Sequence, residues 1–163
     1  MLLSQALAAR LDTCPLVDAD PDAKLLACIG EVGGERALVL GRGGLDVMCA
    51  LIGAGAREVT GLCRNDRPKP ASADVVVVPN LATANLAPGV VGHAKRALAT
   101  AGRIVLRCPA DPAGRLARSV NRVLRLHGFA AVRQYRIGMQ TLVTAQLTLA
   151  PAPDDGGSHA TST

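Results

Sequence analysis

From residue 35 onwards, the hydrophobic pattern of the chain alternates short apolar runs with segments of helical periodicity. The clearest case is a strand over residues 36–41, a helix over 45–55 and a second strand over 58–62. Residues 74–79 include four consecutive valines, as expected for a strand covered on both faces of a parallel sheet. Strands that alternate with helices in this way predict βαβ units and an α/β fold.

The pattern predicts further elements on both sides of this unit. Two helices precede it, the second with Asp20 as N-cap, Pro21 at the first helical position and a glycine pair at its end. The predicted segments outside the central unit are helices over residues 1–11, 20–34, 89–101 and 114–126, and strands over 103–108, 129–136 and 141–149. Because only about four residues separate the last two strands, these strands form an antiparallel hairpin.

The chain of 163 residues is long enough for one domain with a full hydrophobic core. We expect a three-layer, Rossmann-like α/β sandwich whose sheet of about six strands is mostly parallel and ends in the antiparallel hairpin. Residues 1–150 form this domain, with N-terminal helices over 1–34 and the Rossmann-like core over 35–150. Residues 151–163 are rich in Pro, Gly, Ser, Thr and Asp and predict a disordered tail.

The central helix carries a set of apolar side chains that predicts its core-packing face. Its members are Leu45, Val47, Met48, Leu51 and Ile52. Asp46, in the first turn, interacts favourably with the positive end of the helix dipole.

The composition excludes several classes of protein. Phe129 and Tyr135 are the only aromatic residues, which excludes aromatic platforms for stacked bases. The five cysteines are widely spaced without a C-x-x-C motif and predict free thiols, and the three histidines give no zinc signature. No apolar run approaches the ~20 residues of a membrane span, and no signal peptide is evident. We therefore expect a cytoplasmic protein without a membrane partner.

The positive charge is concentrated near the C-terminus. The net charge is +5, and residues 101–150 hold eight arginines against the single acid Asp111. Four of these arginines lie at helical spacings of three, four and three residues and form a stripe opposite the apolar face: Arg115, Arg118, Arg122 and Arg125. The stripe indicates binding of a polyanion or an acidic protein; the alternative is an ordinary solvated helix face.

A glycine-rich turn joins the first strand to the central helix. Gly41, Gly43 and Gly44 allow a ligand to approach the backbone at a helix N-terminus. The alternative is a tight turn that needs small residues. A dinucleotide-binding module is a third hypothesis, but the spacing G-x-G-x-x-G reaches Asp46 where that motif has a glycine.

Four segments resemble the class I S-adenosylmethionine-dependent methyltransferases. RALVLGRGG is similar to the first strand and glycine loop of that family, and HAKRALATAGRIVL to its fourth helix and fifth strand. LHGFAAVRQYRI followed by TLVTAQL resembles its closing hairpin, so the resemblance covers about residues 22–149. It implies an S-adenosylmethionine-dependent methyltransferase with the cofactor over Gly41, Gly43 and Gly44. It also places Cys63 and Asp66 at the ribose position.

The rim of the implied site follows the valine strand. Some members of the family have an Asn or Asp followed by Pro near this point, which orients the methyl acceptor, but here Pro79 precedes Asn80 and the motif is not matched. Asn80, predicted to bind the cofactor, and Asn85 are therefore candidates for the rim of the site. The alternative for Val78-Pro79-Asn80 is a turn that ends the strand.

The chain departs from the family pattern at defined positions. Val39 and Cys63 stand where the family has acidic residues, and Leu45 replaces the third glycine. Ten residues, 64–73, replace a helix, a strand and another helix. The sheet should therefore have six strands, with the second strand at one edge and the closing hairpin at the other.

These departures leave two further hypotheses beside the enzyme. One is a non-catalytic domain of the same fold that binds a protein or nucleic acid through the arginine-rich helix. The other is the dinucleotide-binding module. The expected partners are an unidentified methyl acceptor, a polyanion or acidic protein, and a second copy of the chain in a homodimer.

Overall fold

A six-stranded mixed sheet forms the centre of the molecule, with two helices on each face. The structure is a computed structural model that describes residues 21–148. The helix predicted over 1–11, Asp20 as N-cap, the last residue of the final strand and the tail over 151–163 lie outside these residues. The division of the chain into a domain and a tail stays a prediction.

The elements follow the order that the sequence predicts. The helices are α1 (Pro21–Ile29), α2 (Leu45–Gly53), α3 (Ala87–Ala97) and α4 (Arg115–Leu126), with a 3-10 turn over Ala84–Leu86. The strands are β1 (Arg36–Leu40), β2 (Glu58–Leu62), β3 (Ala73–Val78), β4 (Leu98–Cys108), β5 (Phe129–Ile137) and β6 (Gln140–Leu147).

The strand order is β2-β1-β3-β4-β6-β5. The first four strands are parallel, and β6 pairs antiparallel with both β4 and β5. The predicted fold class is therefore confirmed, including the position of β2 at one edge and the hairpin at the other. The chain leaves β1 towards β2 on one side and later returns to β3 on the other side of β1.

Alternating side chains of the central strands supply two separate cores. Leu38 and Val76 point to the face covered by α3 and α4, whereas Val39 and Val77 point to the face covered by α1 and α2. The four valines of β3 are all buried, as the two-sided covering of a parallel strand requires.

The predicted core face of α2 is wrong at two positions. Val47 and Leu51 are buried against the sheet, but Leu45 is 72% exposed and Ile52 is 61% exposed. The helix is only nine residues long and lies over β1 and β2 near the edge of the sheet, so one narrow stripe meets the core. The remaining apolar positions face outwards.

Three helices end earlier than their patterns predict, and one of them is α2, which ends at Gly53 rather than at 55. The structure ends α1 at Ile29, although Val32 beyond it is still buried. It ends α3 at Ala97 rather than at 101, because Leu98 turns extended and packs into the core. Gly102 is therefore not a helix cap: a methyl group there would lie 2.9 Å from the Ala99 carbonyl oxygen.

Within residues 21–148, no helix combines the length and the apolar character needed to cross a bilayer. The potential metal ligands of the same residues form no group of three or more His, Cys, Asp or Glu side chains.

Candidate functional site

A cavity of about 530 Å³ lies at the carboxyl ends of β1, β2 and β3. Its polar wall comes from the residues that directly follow these strands: Gly41, Arg42, Cys63, Arg64, Asn65 and Asn80. Because the chain leaves β1 in opposite directions to reach β2 and β3, the strand ends open a crevice at this point. The volume falls within the usual range of small-molecule sites.

The opposite wall of the cavity is mainly apolar. Leu81 follows β3, Leu86 ends the 3-10 turn, and Val90 and His93 project from α3. A site with one polar wall and one apolar wall suits a ligand that has both a polar end and a flat or apolar part.

The glycine turn shapes the mouth of the cavity. Gly41 has a φ of +99° and Gly43 a φ of +74°, conformations that side-chain-bearing residues rarely adopt. The Gly41 N–H donates to the Leu62 carbonyl at 3.0 Å, which ties the turn to the end of β2. A methyl group on the buried Gly44 would lie 2.5 Å from Val39 Cγ1, so the turn packs tightly on β1.

The helix that follows this turn begins without a side-chain cap. Gly44 is the N-cap residue of α2 and, as a glycine, makes no side-chain cap hydrogen bond. Asp46 lies in the first turn of α2 and is exposed.

The structure brings together three of the six predicted ligand-binding residues. Gly41, Cys63 and Asn80 line the cavity, whereas Gly43, Gly44 and Asp66 do not. The Asp66 carboxylate instead accepts a hydrogen bond from the Cys63 N–H at 2.9 Å. It closes a local turn after β2.

Hydrogen bonds with the neighbouring strand β4 hold the turn that contains Asn80. The Arg107 Nε donates to the Pro79 carbonyl at 2.6 Å, and the Leu81 N–H donates to the Arg107 carbonyl at 2.9 Å. These two bonds fix the turn on both sides of Asn80. Asn85 is exposed on the 3-10 turn and does not line the cavity.

Sequence reasoning missed four polar residues of the cavity wall: Arg42, Arg64, Asn65 and His93. The first three lie within three residues of the end of a predicted strand, a signal that could have identified them. His93 carried no such signal, because only the packing of α3 against β3 brings its side chain to the strand ends. No residue of the described cavity wall is a carboxylate, so its formal charge is positive.

A second cavity of about 410 Å³ lies beside the first, and both are lined by Ala82. Its wall includes Thr83, Ser119 and Arg115. Asp111 also lines it but is only 4% exposed. The Asp111 carboxylate accepts hydrogen bonds from the N–H groups of Leu116 at 3.0 Å and Ala117 at 2.9 Å, and so caps α4.

The cysteines differ in their surroundings. Cys63 and Cys49 are exposed, whereas Cys28 and Cys108 are buried, and all four are free. Burial raises the pKa of the Cys28 thiol to about 11. Burial, together with the negative charge of Asp111, raises the pKa of Cys108 to about 12. These two thiols are therefore protonated and unreactive at neutral pH.

Comparison with solved structures decides the fold family. The chain superimposes on an S-adenosylmethionine-dependent methyltransferase from Mesorhizobium loti with a TM-score of 0.61 and 15% identity, covering 80% of this chain and 99% of that one. The chain has the fold of the class I S-adenosylmethionine-dependent methyltransferases. No protein-family model matches the sequence, and no curated protein is significantly similar to it.

Two further structures with the methyltransferase fold are similar over most of this chain. One is a methyltransferase from Aquifex aeolicus, with a TM-score of 0.62 and 14% identity, covering 86% of this chain and 96% of the other. The second is a 16S rRNA methyltransferase from T. thermophilus in complex with AdoMet and guanosine. It matches with a TM-score of 0.59 and 24% identity over 85% of this chain and 42% of its own length.

Proposed function

We propose that this protein binds S-adenosylmethionine in the larger cavity and transfers its methyl group to an acceptor in the cytoplasm. The observation that carries the proposal is the position of the 530 Å³ cavity, at the strand ends where a sheet of this topology binds ligands. The S-adenosylmethionine dependence of the structurally similar methyltransferases supports the choice of ligand.

The residues of the cavity fit this cofactor. The exposed backbone of Gly41 permits close approach, and the adjacent Arg42 offers a guanidinium to the cofactor carboxylate. The amides of Asn65 and Asn80 supply donors and acceptors for ribose hydroxyls and for the adenine edge. Leu86 and Val90 supply an apolar wall for the adenine ring.

When bound, S-adenosylmethionine supplies an electrophilic methyl group on a sulfonium. The chain's own contribution is to position that methyl group in line with the acceptor and to exclude water. His93 is the candidate for a proton acceptor, because its side chain lines the cavity and an imidazole nitrogen can take a proton from the acceptor as it is methylated. The acceptor would approach past Ala82 from the second cavity, which offers hydroxyl groups from Thr83 and Ser119.

Calorimetric titration tests the proposal. S-adenosylmethionine and S-adenosylhomocysteine should both give a saturable signal, and Arg42→Ala should weaken binding of each about tenfold, the loss expected for one charge-assisted hydrogen bond. Arg57→Ala is the matched control, because Arg57 is an exposed arginine outside the cavity wall. Absence of heat or thermal stabilisation with millimolar ligand would refute cofactor binding.

One observation favours a second candidate, a non-catalytic domain of the same fold. The described cavity wall lacks a carboxylate, and the hydrogen bond of Asp66 to the Cys63 N–H takes up the acid nearest the end of β2. A domain of this kind would show no saturable binding of either cofactor form while remaining folded by circular dichroism. The titration above therefore separates the two candidates.

A further inference from the structure

Helix α4 presents a continuous row of positive charge to solvent. Its four arginines, at positions 115, 118, 122 and 125, are all exposed, while Val120 and Leu124 on the opposite side are fully buried. With a rise of about 1.5 Å per residue, the row is about 15 Å long, and its charges are about 4.5 to 6 Å apart.

Strand β5 extends this row. The Gln134 side chain faces α4, because its Nε2 donates to the Ala117 carbonyl at 3.2 Å. Arg136 lies two residues further along the same strand and is exposed, so its side chain projects to the same face. We call this surface the basic face; its members are Arg115, Arg118, Arg122, Arg125 and Arg136.

No acidic side chain offsets the basic face in this part of the chain. Between residues 101 and 148 the only acid is Asp111, and both of its carboxylate oxygens accept hydrogen bonds from the backbone of α4. Among residues 21–148, the ion pairs found involve Arg36, Arg103 and Arg107, which lie elsewhere. Arg125 donates a hydrogen bond to the amide oxygen of Asn121, a group that carries no formal charge.

The chemistry of the face matches a phosphodiester backbone better than a protein. Guanidinium groups bind phosphate oxygens in a planar, bidentate geometry. A protein interface needs an apolar or aromatic centre, and on this face the exposed apolar side chain is Leu126, at one end of the row. Along the axis of a duplex, each strand has one phosphate about every 3.4 Å. A row of about 15 Å that lies parallel to this axis therefore spans about four phosphates of one strand, which equals the number of helix arginines.

The basic face also starts at the candidate acceptor site. Arg115 lines the second cavity, which adjoins the proposed cofactor cavity at Ala82. A nucleic acid held along α4 would therefore reach the carboxyl edge of the sheet.

We infer that the basic face binds the backbone of a nucleic acid duplex without reading its sequence. Recognition is by phosphate contacts alone, because Phe129 is buried and the described surface offers no pair of aromatic side chains for base stacking. This inference goes beyond the proposed methyl transfer and holds whether or not the cofactor binds.

Fluorescence anisotropy with a labelled RNA duplex and a DNA duplex of equal sequence tests the inference on the full chain without cofactor. The matched variants are Arg118→Gln with Arg122→Gln on the basic face, and Arg57→Gln with Arg67→Gln around β2 at the other edge of the sheet. Both pairs remove two exposed arginines and the same net charge.

The wild type should lose affinity by about 150-fold between ~50 and ~200 mM salt, as expected for four phosphate contacts. The basic-face variant should bind at least tenfold more weakly at low salt, and its log–log salt slope should fall by about two. The control variant should keep the wild-type affinity at low salt and the wild-type salt slope. The relative affinities for RNA and DNA then identify the preferred duplex.

Three results would overturn the inference. They are wild-type affinity in both variants, an equal loss of affinity in both, and tighter binding to poly-L-glutamate than to either duplex. The last result would instead identify an acidic protein as the partner. Because cofactor is absent throughout, failure here is distinct from failure of the calorimetric titration.

Discussion

The carboxylate of Asp111 offers the sharpest test of how this fold is held together at its candidate site. It is nearly fully buried, and its two oxygens accept hydrogen bonds from consecutive N–H groups in the first turn of α4. Its own N–H donates to the Met139 carbonyl at 2.9 Å, which joins the start of α4 to the β5–β6 turn. The perturbation is Asp111→Ala.

The expected loss of stability follows from these contacts. Removing the side chain leaves two N–H groups of α4 without their acceptor, and each buried, unpaired donor costs about 1 to 3 kcal/mol. Loss of a negative charge at the helix N-terminus adds a few tenths of a kcal/mol. Water that enters the second cavity can hydrogen-bond to the freed N–H groups and so lowers the sum of these costs. We therefore expect the free energy of unfolding to fall by about 2 to 4 kcal/mol.

Urea unfolding followed by circular dichroism measures this loss. For a slope of about 2 kcal/mol/M, the midpoint should fall by about 1 to 2 M with the slope unchanged. Asp46→Ala is the control, because Asp46 also lies in a first helical turn but is exposed and forms no cap. It should cost less than about 1 kcal/mol. Equal losses for the two variants would refute the reasoning.

Three further predictions concern other parts of the structure. Gly44→Ala should lower stability by about 1 to 3 kcal/mol through its clash with Val39, and a double-mutant cycle with Val39→Ala should show favourable coupling. The hydrogen bond from Arg36 holds the pKa of Asp74 below its ordinary 3.8, so the ionised carboxylate stabilises the fold above pH 3.8, and this stabilisation is lost as the pH falls below that value. The free energy of unfolding in urea should therefore fall less between pH 7 and a pH below 3.8 in Asp74→Asn than in the wild type. Cys108, with its pKa of about 12, should resist iodoacetamide at pH ~8 until the protein unfolds, as peptide mass spectrometry would show.

The sequence predicts the fold well because the sheet is specified by local patterns. The valine run of β3 and the short link before β6 each permit one arrangement, a two-sided parallel strand and an antiparallel hairpin. The helix ends are less well predicted. Leu98 has helical periodicity with the residues before it, but it is extended in the structure and packs into the core.

The site is only partly predictable because it is assembled from residues that are distant in sequence. Gly41, Cys63 and Asn80 could be identified because each follows a recognisable strand. His93 and Leu86 approach the same cavity from α3 and the preceding turn, and no local pattern encodes that approach. These two residues can be identified as part of the site only when the packing of α3 on the sheet is known.

The cavity and its chemistry have separate physical origins. Opposite crossovers from β1 produce the crevice for any sequence of this topology, so the cavity persists although Val39 and Cys63 replace acidic residues. The choice of ligand depends on the side chains that follow the strands, and here they supply the cations Arg42 and Arg64 without a carboxylate. The cavity should therefore favour the carboxylate end of S-adenosylmethionine and bind the ribose through neutral amides alone. Removal of the cofactor carboxylate should then weaken binding more than removal of a ribose hydroxyl, a difference that titration with the two analogues would measure.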